Sequence, residues 1–164
     1  MKRLVCLAFL LLTACATRPP ADVIPIEPLP APGSPGPAQP SHIGILDDST
    51  GYVGDCFAGF FRPQTQHKPD GSMAWVMIDP FDGTGELQVD DRHLILQRIS
   101  SSGDPAKGPV HDRYSSAEAG VTADLHYSLI STDQDGLHLL EGTLTVTAAD
   151  WHETLNLSGQ SSCS

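Results

Sequence analysis

Between residues 121 and 158 apolar and polar side chains alternate with a period of two. Val121, Ala123, Leu125, Tyr127 and Leu129 interleave with Thr122, Asp124, His126 and Ser128. This is the pattern of a strand with one face in a core and the other in water. Leu140, Leu144 and Val146 alternate in the same way with Glu141, Thr143, Thr145 and Thr147, and Trp151, Leu155 and Leu157 with His152, Thr154, Asn156 and Ser158. Residues 52–61, 73–78, 85–89 and 92–99 supply further candidate strands. The breaks between strands carry Asp82-Gly83, Asp90-Asp91, Asp135-Gly136 and Ala149-Asp150, and Asp-Gly suits the positive φ of tight hairpins. No helical pattern runs beyond a turn or two, and no internal repeat is visible. The expected fold is all-β: a small antiparallel meander of seven or eight strands, closed as a barrel or stacked as a sandwich.

The pattern changes at the N-terminus. Lys2 and Arg3 precede an almost unbroken apolar run from Leu4 to Leu12, followed by Thr13, Ala14 and Cys15. The run is about half the ~20 residues a membrane-spanning helix needs, so it reads as an export signal over residues 1–14. Residues 18–42 then hold 9 of the 14 prolines. No helix or ladder survives that density, so residues 15–42 are expected to be a linker of polyproline II and coil. A spacer is the favoured reading; a proline-motif ligand would need flanking cations, which the run lacks. Residues 43–164 remain as one β domain.

Charge narrows the partners. The chain holds 9 Lys+Arg against 20 Asp+Glu, a formal −11, which argues against nucleic acid and anionic membrane surfaces. The domain from residue 43 onward has 6 basic and 18 acidic side chains, hence −12. With Cys6 in the signal and Cys15 at its end, Cys56 and Cys163 are left. In an oxidising compartment such a pair is expected to form a disulfide, tying the first strand to the tail behind the last and favouring a barrel. Closing a loop of about 100 residues contributes ~4.7 kcal/mol on the chain-entropy treatment. The rival, two free thiols in a metal or nucleophile site, has no Cys-x-x-Cys to support it.

A search for chemistry returns little. None of the 7 histidines shows His-x-His, His-x-x-His or His-Glu-x-x-His spacing. His126 and His152 fall on the solvent side of their strands, and His138 reads as a hydrogen-bonded edge residue. No Gly-x-Ser-x-Gly elbow, carboxylate pair or phosphate loop is present, and Asp133-Gln134-Asp135-Gly136 covers only part of a calcium loop. The expectation is therefore a protein that is not an enzyme, with no metal and no cofactor.

Two stretches, residues 62–72 and 100–120, are read as long loops. The second gathers Lys107, His111, Asp112, Arg113 and Tyr114, and reads either as a solvated loop or as a recognition loop anchored by Arg113 and Tyr114. In a seven-strand meander the 62–72 loop, the Asp90-Asp91 turn and the 132–136 turn emerge at one end. That end would collect Asp70, Asp90, Asp91, Asp133 and Asp135 as a partner-binding cluster, although Asp is also simply a good turn residue. An eighth strand at residues 110–114 would send Asp133 and Asp135 to the opposite end.

Leu12-Thr13-Ala14-Cys15 resembles the lipobox of bacterial lipoproteins. The resemblance implies cleavage before Cys15, diacylation of its thiol (palmitate is the usual label) and acylation of the new amino terminus. Two or three chains make bilayer anchoring stable. Ala16, where Asp would favour inner-membrane retention, implies an outer-membrane, periplasm-facing address. Lipobox, small antiparallel barrel and disulfide together are similar to the architecture of lipid-anchored lysozyme inhibitors. The inhibitory loop motif of that family is not found, and Ser115-Ser116-Ala117-Glu118 does not match it. The leading expectation is a non-catalytic binding module, an inhibitor or protective protein for a cationic periplasmic partner. The alternative is a structural or assembly lipoprotein of a cell-envelope complex.

Overall fold

The computed structural model describes residues 40–47 and 56–163. The signal segment, Cys15 and the linker up to residue 39 lie outside the described residues, as do positions 52–55 of the first candidate strand. Eight strands follow one another: β1 (Cys56–Phe61), β2 (Trp75–Asp79), β3 (Thr84–Val89), β4 (Arg92–Ser102), β5 (Val110–Ser116), β6 (Val121–Thr132), β7 (His138–Thr147) and β8 (His152–Cys163). Each pairs antiparallel with the next, and β1 pairs with β8, so the sheet is a closed barrel with no free edge. A sandwich is thereby excluded.

Closure follows from the alternation. Along β6 the side chains of Val121, Ala123, Leu125 and Tyr127 are buried while the residues between them face out. The same inward parity in neighbouring strands brings Phe60, Met77, Leu87, Leu96, Tyr114, Leu144, Val146 and Leu157 into one core. Tyr114 is the largest fully buried side chain, and it fits because Gly85 faces it: a Cβ there would stand 3.0 Å from the Tyr114 ring. The Asp90-Asp91 turn has positive φ at both central residues, 47° and 59°, as the tightest two-residue hairpin requires.

The optional eighth strand at residues 110–114 is present, as β5. Residues 100–120 are not one long loop: 100–102 continue β4, 110–116 form β5, and only 103–109 and 117–120 connect. The period of two is present, with Val110, Asp112 and Tyr114 inward, but a carboxylate occupies the middle core position and disguises it.

An even number of strands sorts the connections. The 62–74 loop and the turns at 90–91, 117–120 and 148–151 share one end of the barrel, called upper here. The connections 80–83, 103–109 and 133–137 share the lower end. Residues 43–46 fill a gap in the barrel wall near the upper end. Gly44 N–H donates to Gln88 O of β3 and Leu46 N–H to Trp75 O of β2, so the segment sits where those two strands separate. Ile43 and Leu46 are each 1% exposed.

Candidate functional site

The five-aspartate cluster does not form. Because β5 exists, Asp70, Asp90 and Asp91 lie at the upper end, and Asp133 and Asp135 lie at the lower end. Their local roles are those of turn residues. Asp70 Oδ1 accepts from the Ser72 N–H at 2.9 Å, and the Ser72 hydroxyl, then its N–H, hold the Asp70 carboxyl below its usual range. Asp133 Oδ1 accepts from the N–H groups of Asp135 and Leu137 at 2.9 and 2.8 Å.

The recognition-loop reading also needs correction. Tyr114 points into the barrel and is fully buried, so it cannot anchor a partner. Arg113 stays on the outer face, its Nε 3.4 Å from Asp124 Oδ1. His138, read as an edge residue, is exposed and hydrogen-bonded to Thr132 Oγ1 at 2.7 Å.

The chemistry gathers inside the lower half of the barrel instead, on residues that local spacing does not pick out. Asp79, at the end of β2, faces inward opposite Ala58 and is 1% exposed. Its carboxylate is the hub of the site. The Tyr114 hydroxyl donates to Asp79 Oδ2 at 2.8 Å, Arg98 Nη1 stands 3.4 Å from the same oxygen, and the Phe81 N–H donates to Oδ1 at 2.8 Å. Burial nevertheless pushes the Asp79 carboxyl above its ordinary range, outweighing those three partners. Burial, then the Asp79 charge, drives the Tyr114 hydroxyl far above its usual value, so it remains a donor at every physiological pH. Burial works against the Arg98 charge, but Asp79, Tyr114 and Asp112 together more than offset it.

Asp112 lies deeper on β5. It is 2% exposed, and its Oδ1 is buried with no hydrogen-bond partner. Such an oxygen costs about 1–3 kcal/mol, more when charged. Its neighbour toward the mouth is Tyr127: Val110 is opposite Tyr127 and Asp112 is opposite Leu125, so both side chains share the inward face. Burial and then the Asp112 charge push the Tyr127 hydroxyl up as well.

Below this group is a cavity of about 150 Å³ walled by Ala58, Tyr127, Leu129 and Leu140 and roofed by Phe81, Pro105 and Ala106. Phe81 has φ 60°, a conformation bulky side chains avoid, and the bond from its N–H to Asp79 holds it there. The rim is also irregular. In β4 the ladder skips between Arg98 and Ser100, and in β6 between Leu129 and Ser131. Each bulge turns an isoleucine to solvent, Ile99 at 58% and Ile130 at 56% exposure. A broader groove on the outer face, lined by His126, Ile130, Glu141 and Asn156 among others, is more open and lacks a buried charge.

Outside the barrel, His111 and His126 stack directly across the β5–β6 ladder with ring centroids 3.7 Å apart, a pair that motif spacing cannot reveal. Among the described residues no group of three or more His, Cys, Asp or Glu side chains is arranged to hold a metal ion.

Fold and site together define a small closed antiparallel barrel of eight strands, with a buried acidic network behind a roofed mouth. Comparison with protein-family models, curated proteins and solved structures finds no match to this chain.

Proposed function

We propose that the chain is a lipid-anchored, non-catalytic binding module of the bacterial outer membrane that faces the periplasm and meets a cationic protein partner with its lower mouth. In this reading residues 1–14 are removed, Cys15 carries the lipid, residues 15–42 act as a tether, and Cys56 and Cys163 form a disulfide. The observation that carries the reading is the polarity of the barrel. Residues 40–46 lie at the upper end, where His42 O accepts from the Asp90 N–H and the His42 ring stacks on Trp151 at 4.4 Å. The end opposite residues 40–46 holds a cavity, the exposed Ile99 and Ile130 and the acidic turns with Asp82, Asp104, Asp133 and Asp135, against Lys107.

The disulfide is supported by register: Cys56 and Cys163 are Cα partners across β1 and β8. Directly opposed antiparallel residues stand about 4.5–5.5 Å apart at Cα, within the range a disulfide spans. Loss of either cysteine should cost about 2–5 kcal/mol in denaturant unfolding and leave one titratable thiol. Two free thiols in the oxidised wild type would remove the bond from the reading. For the anchor, Cys15→Ser should leave an unprocessed precursor that a palmitate analogue does not label; normal processing and membrane fractionation of that variant would refute it.

For the partner, lysozyme serves as a cationic probe with the full chain in non-ionic detergent. Neutralising Asp133 and Asp135 to Asn should slow association several-fold at low salt and flatten its salt dependence, whereas Asp90→Asn with Asp91→Asn should change it less. Equal effects at both ends, or none, would refute the lower-mouth reading. The exposed Ile95, Ile99, Ile130 and Leu139 favour a second reading, an assembly lipoprotein whose outer wall packs on an envelope complex. Under that reading Ile99→Ser with Ile130→Ser releases envelope components while the aspartate variants do not.

A further inference from the structure

Small side chains in the lower mouth leave a space that the layer above it does not. We infer that this space is a binding site for a small uncharged aromatic molecule, a single ring bearing a hydroxyl group, as in the phenols.

One register pair sets the room. Ala58 and Ser161 are partners across β1 and β8, and both line the cavity. Two residues higher, Phe60 packs so closely on its partner Gly159 that a Cβ there would stand 2.7 Å from the ring. Ala58 and Ser161 carry nothing of that size, and the space left is about 150 Å³. Packed interiors rarely keep such a void, and an apolar one of that volume accepts a benzene-sized guest. The lining then fixes the charge of the guest. Phe81, Pro105, Tyr127, Leu129 and Leu140 offer aromatic and aliphatic surface, and no Asp, Glu, Lys or Arg lines the space. A charged guest would shed its water there with no opposite charge in contact. The connections 80–83, 103–109 and 133–137 hold four acids against one lysine, which turns anions away at the entrance as well. Ser161 supplies the polar contact. It is only 9% exposed, and among the described residues its hydroxyl makes no hydrogen bond. A buried hydroxyl without a partner is stabilised by any donor or acceptor brought to it, and a hydroxyl on the guest serves as either.

The buried acid behind the wall acquires a part in this without touching the guest. Asp79 Oδ1 accepts from the Phe81 N–H, and so keeps Phe81 at a φ of 60° and in the roof of the cavity. An aromatic residue kept in a strained conformation over an apolar space is placed to pack against a ring below it. Phe81, Pro105 and Ala106 sit on connections and not on strands, so a guest can pass them without breaking the barrel ladder. His138 lines the rim, where it is exposed and its Nδ1 is tied to Thr132 Oγ1. The site depends neither on the lipid anchor nor on a protein partner, and its test separates from theirs.

The test titrates the full chain, in non-ionic detergent at neutral pH, with phenol, toluene, benzoate and benzylammonium. Dialysis fixes the free probe concentration, and amide shifts at Leu129, Leu140 and Ser161 report binding. Uptake by the micelle is common to all variants, so differences between them read the site. Phenol and toluene should bind at millimolar concentration, and the two ions should not. Ser161→Ala should weaken phenol by at least about fivefold, the scale of one hydrogen bond, and leave toluene unchanged. Ser161→Leu, which fills the space, should remove both without lowering the melting temperature. Ala106→Trp, at an exposed position of the roof, should reduce both and replaces that variant if it does not fold. Benzoate or benzylammonium binding as tightly as phenol would overturn an uncharged guest. Phenol affinity that survives Ser161→Ala would overturn the hydroxyl contact and with it the phenol class. No binding of either neutral probe at millimolar concentration would overturn the site outright.

Discussion

At the upper end of the barrel Ser41, His42, Arg62 and Glu153 bond one another around an inserted segment with two buried aliphatic side chains. The Ser41 hydroxyl donates to Glu153 Oε1 at 2.6 Å, the His42 N–H to Glu153 Oε2 at 2.9 Å, and Arg62 Nη2 to Ile43 O at 2.6 Å. At the lower end the buried groups are charged, one oxygen has no partner, an aromatic residue is held at positive φ, and two bulges interrupt the ladder. One end spends its sequence on packing and the other tolerates local cost. Costly features of that kind concentrate where proteins bind or react.

The largest effect expected from breaking this contrast lies in the inserted segment. Leu46→Ala truncates a fully buried side chain and should cost about 3 kcal/mol in urea unfolding. A cost below about 1 kcal/mol would show that the upper end is not the better packed one. At the lower end Tyr114→Phe deletes a hydrogen bond to a buried carboxylate without changing shape, and should cost about 2 kcal/mol. No loss would mean that Asp79 does not need the hydroxyl. Phe81 offers a smaller and cleaner comparison. Both Phe81→Ala and Phe81→Gly lose the ring, but only glycine relieves the φ of 60°, so the glycine variant should be the more stable by about 1 kcal/mol. Equal melting temperatures would remove strain from the description of the mouth.

The smallest effect is a slope. Burial raises the Asp79 carboxyl in the folded chain, so over the window from the ordinary carboxylate value of ~3.9 up to the raised one the native state holds a proton that the unfolded state has lost. The stability contributed by that proton is fully present below about pH 4 and falls as pH rises through the raised value. Asp79→Asn should therefore show a flatter dependence of unfolding free energy on pH above 4 than the wild type. Parallel curves would place the titration elsewhere.

The strands that alternate cleanly were legible residue by residue. Val121 to Tyr127 lie inside and Thr122 to His126 outside as the period of two requires, and the antiparallel meander follows from short turns. What could not be read was the consequence of acids placed on the core side. Asp112 made β5 look like a solvated loop, which cost one strand and with it the ends to which Asp133 and Asp135 were assigned. Asp79, one residue beyond the candidate strand at 73–78, carried no signal of its own and is the hub of the interior network. Arg98 continued a strand whose bulge, one residue later, no local pattern announces. The acidic turns were visible; the buried acids were not, because their significance depends on partners 19 and 35 residues away in sequence.

The seat of residues 43–46 between β2 and β3 has a mechanical meaning. Ile43 bridges Val89 antiparallel, so the segment runs down beside β3 from the upper end. Tension arriving along the chain from residue 40 would pull that segment lengthwise, loading its bonds to Gln88 and Trp75 together and drawing Ile43 and Leu46 out of the core in the same movement. The force a tethered barrel could bear would then be set by how fast this latch lets go, not by the midpoint of its thermal unfolding.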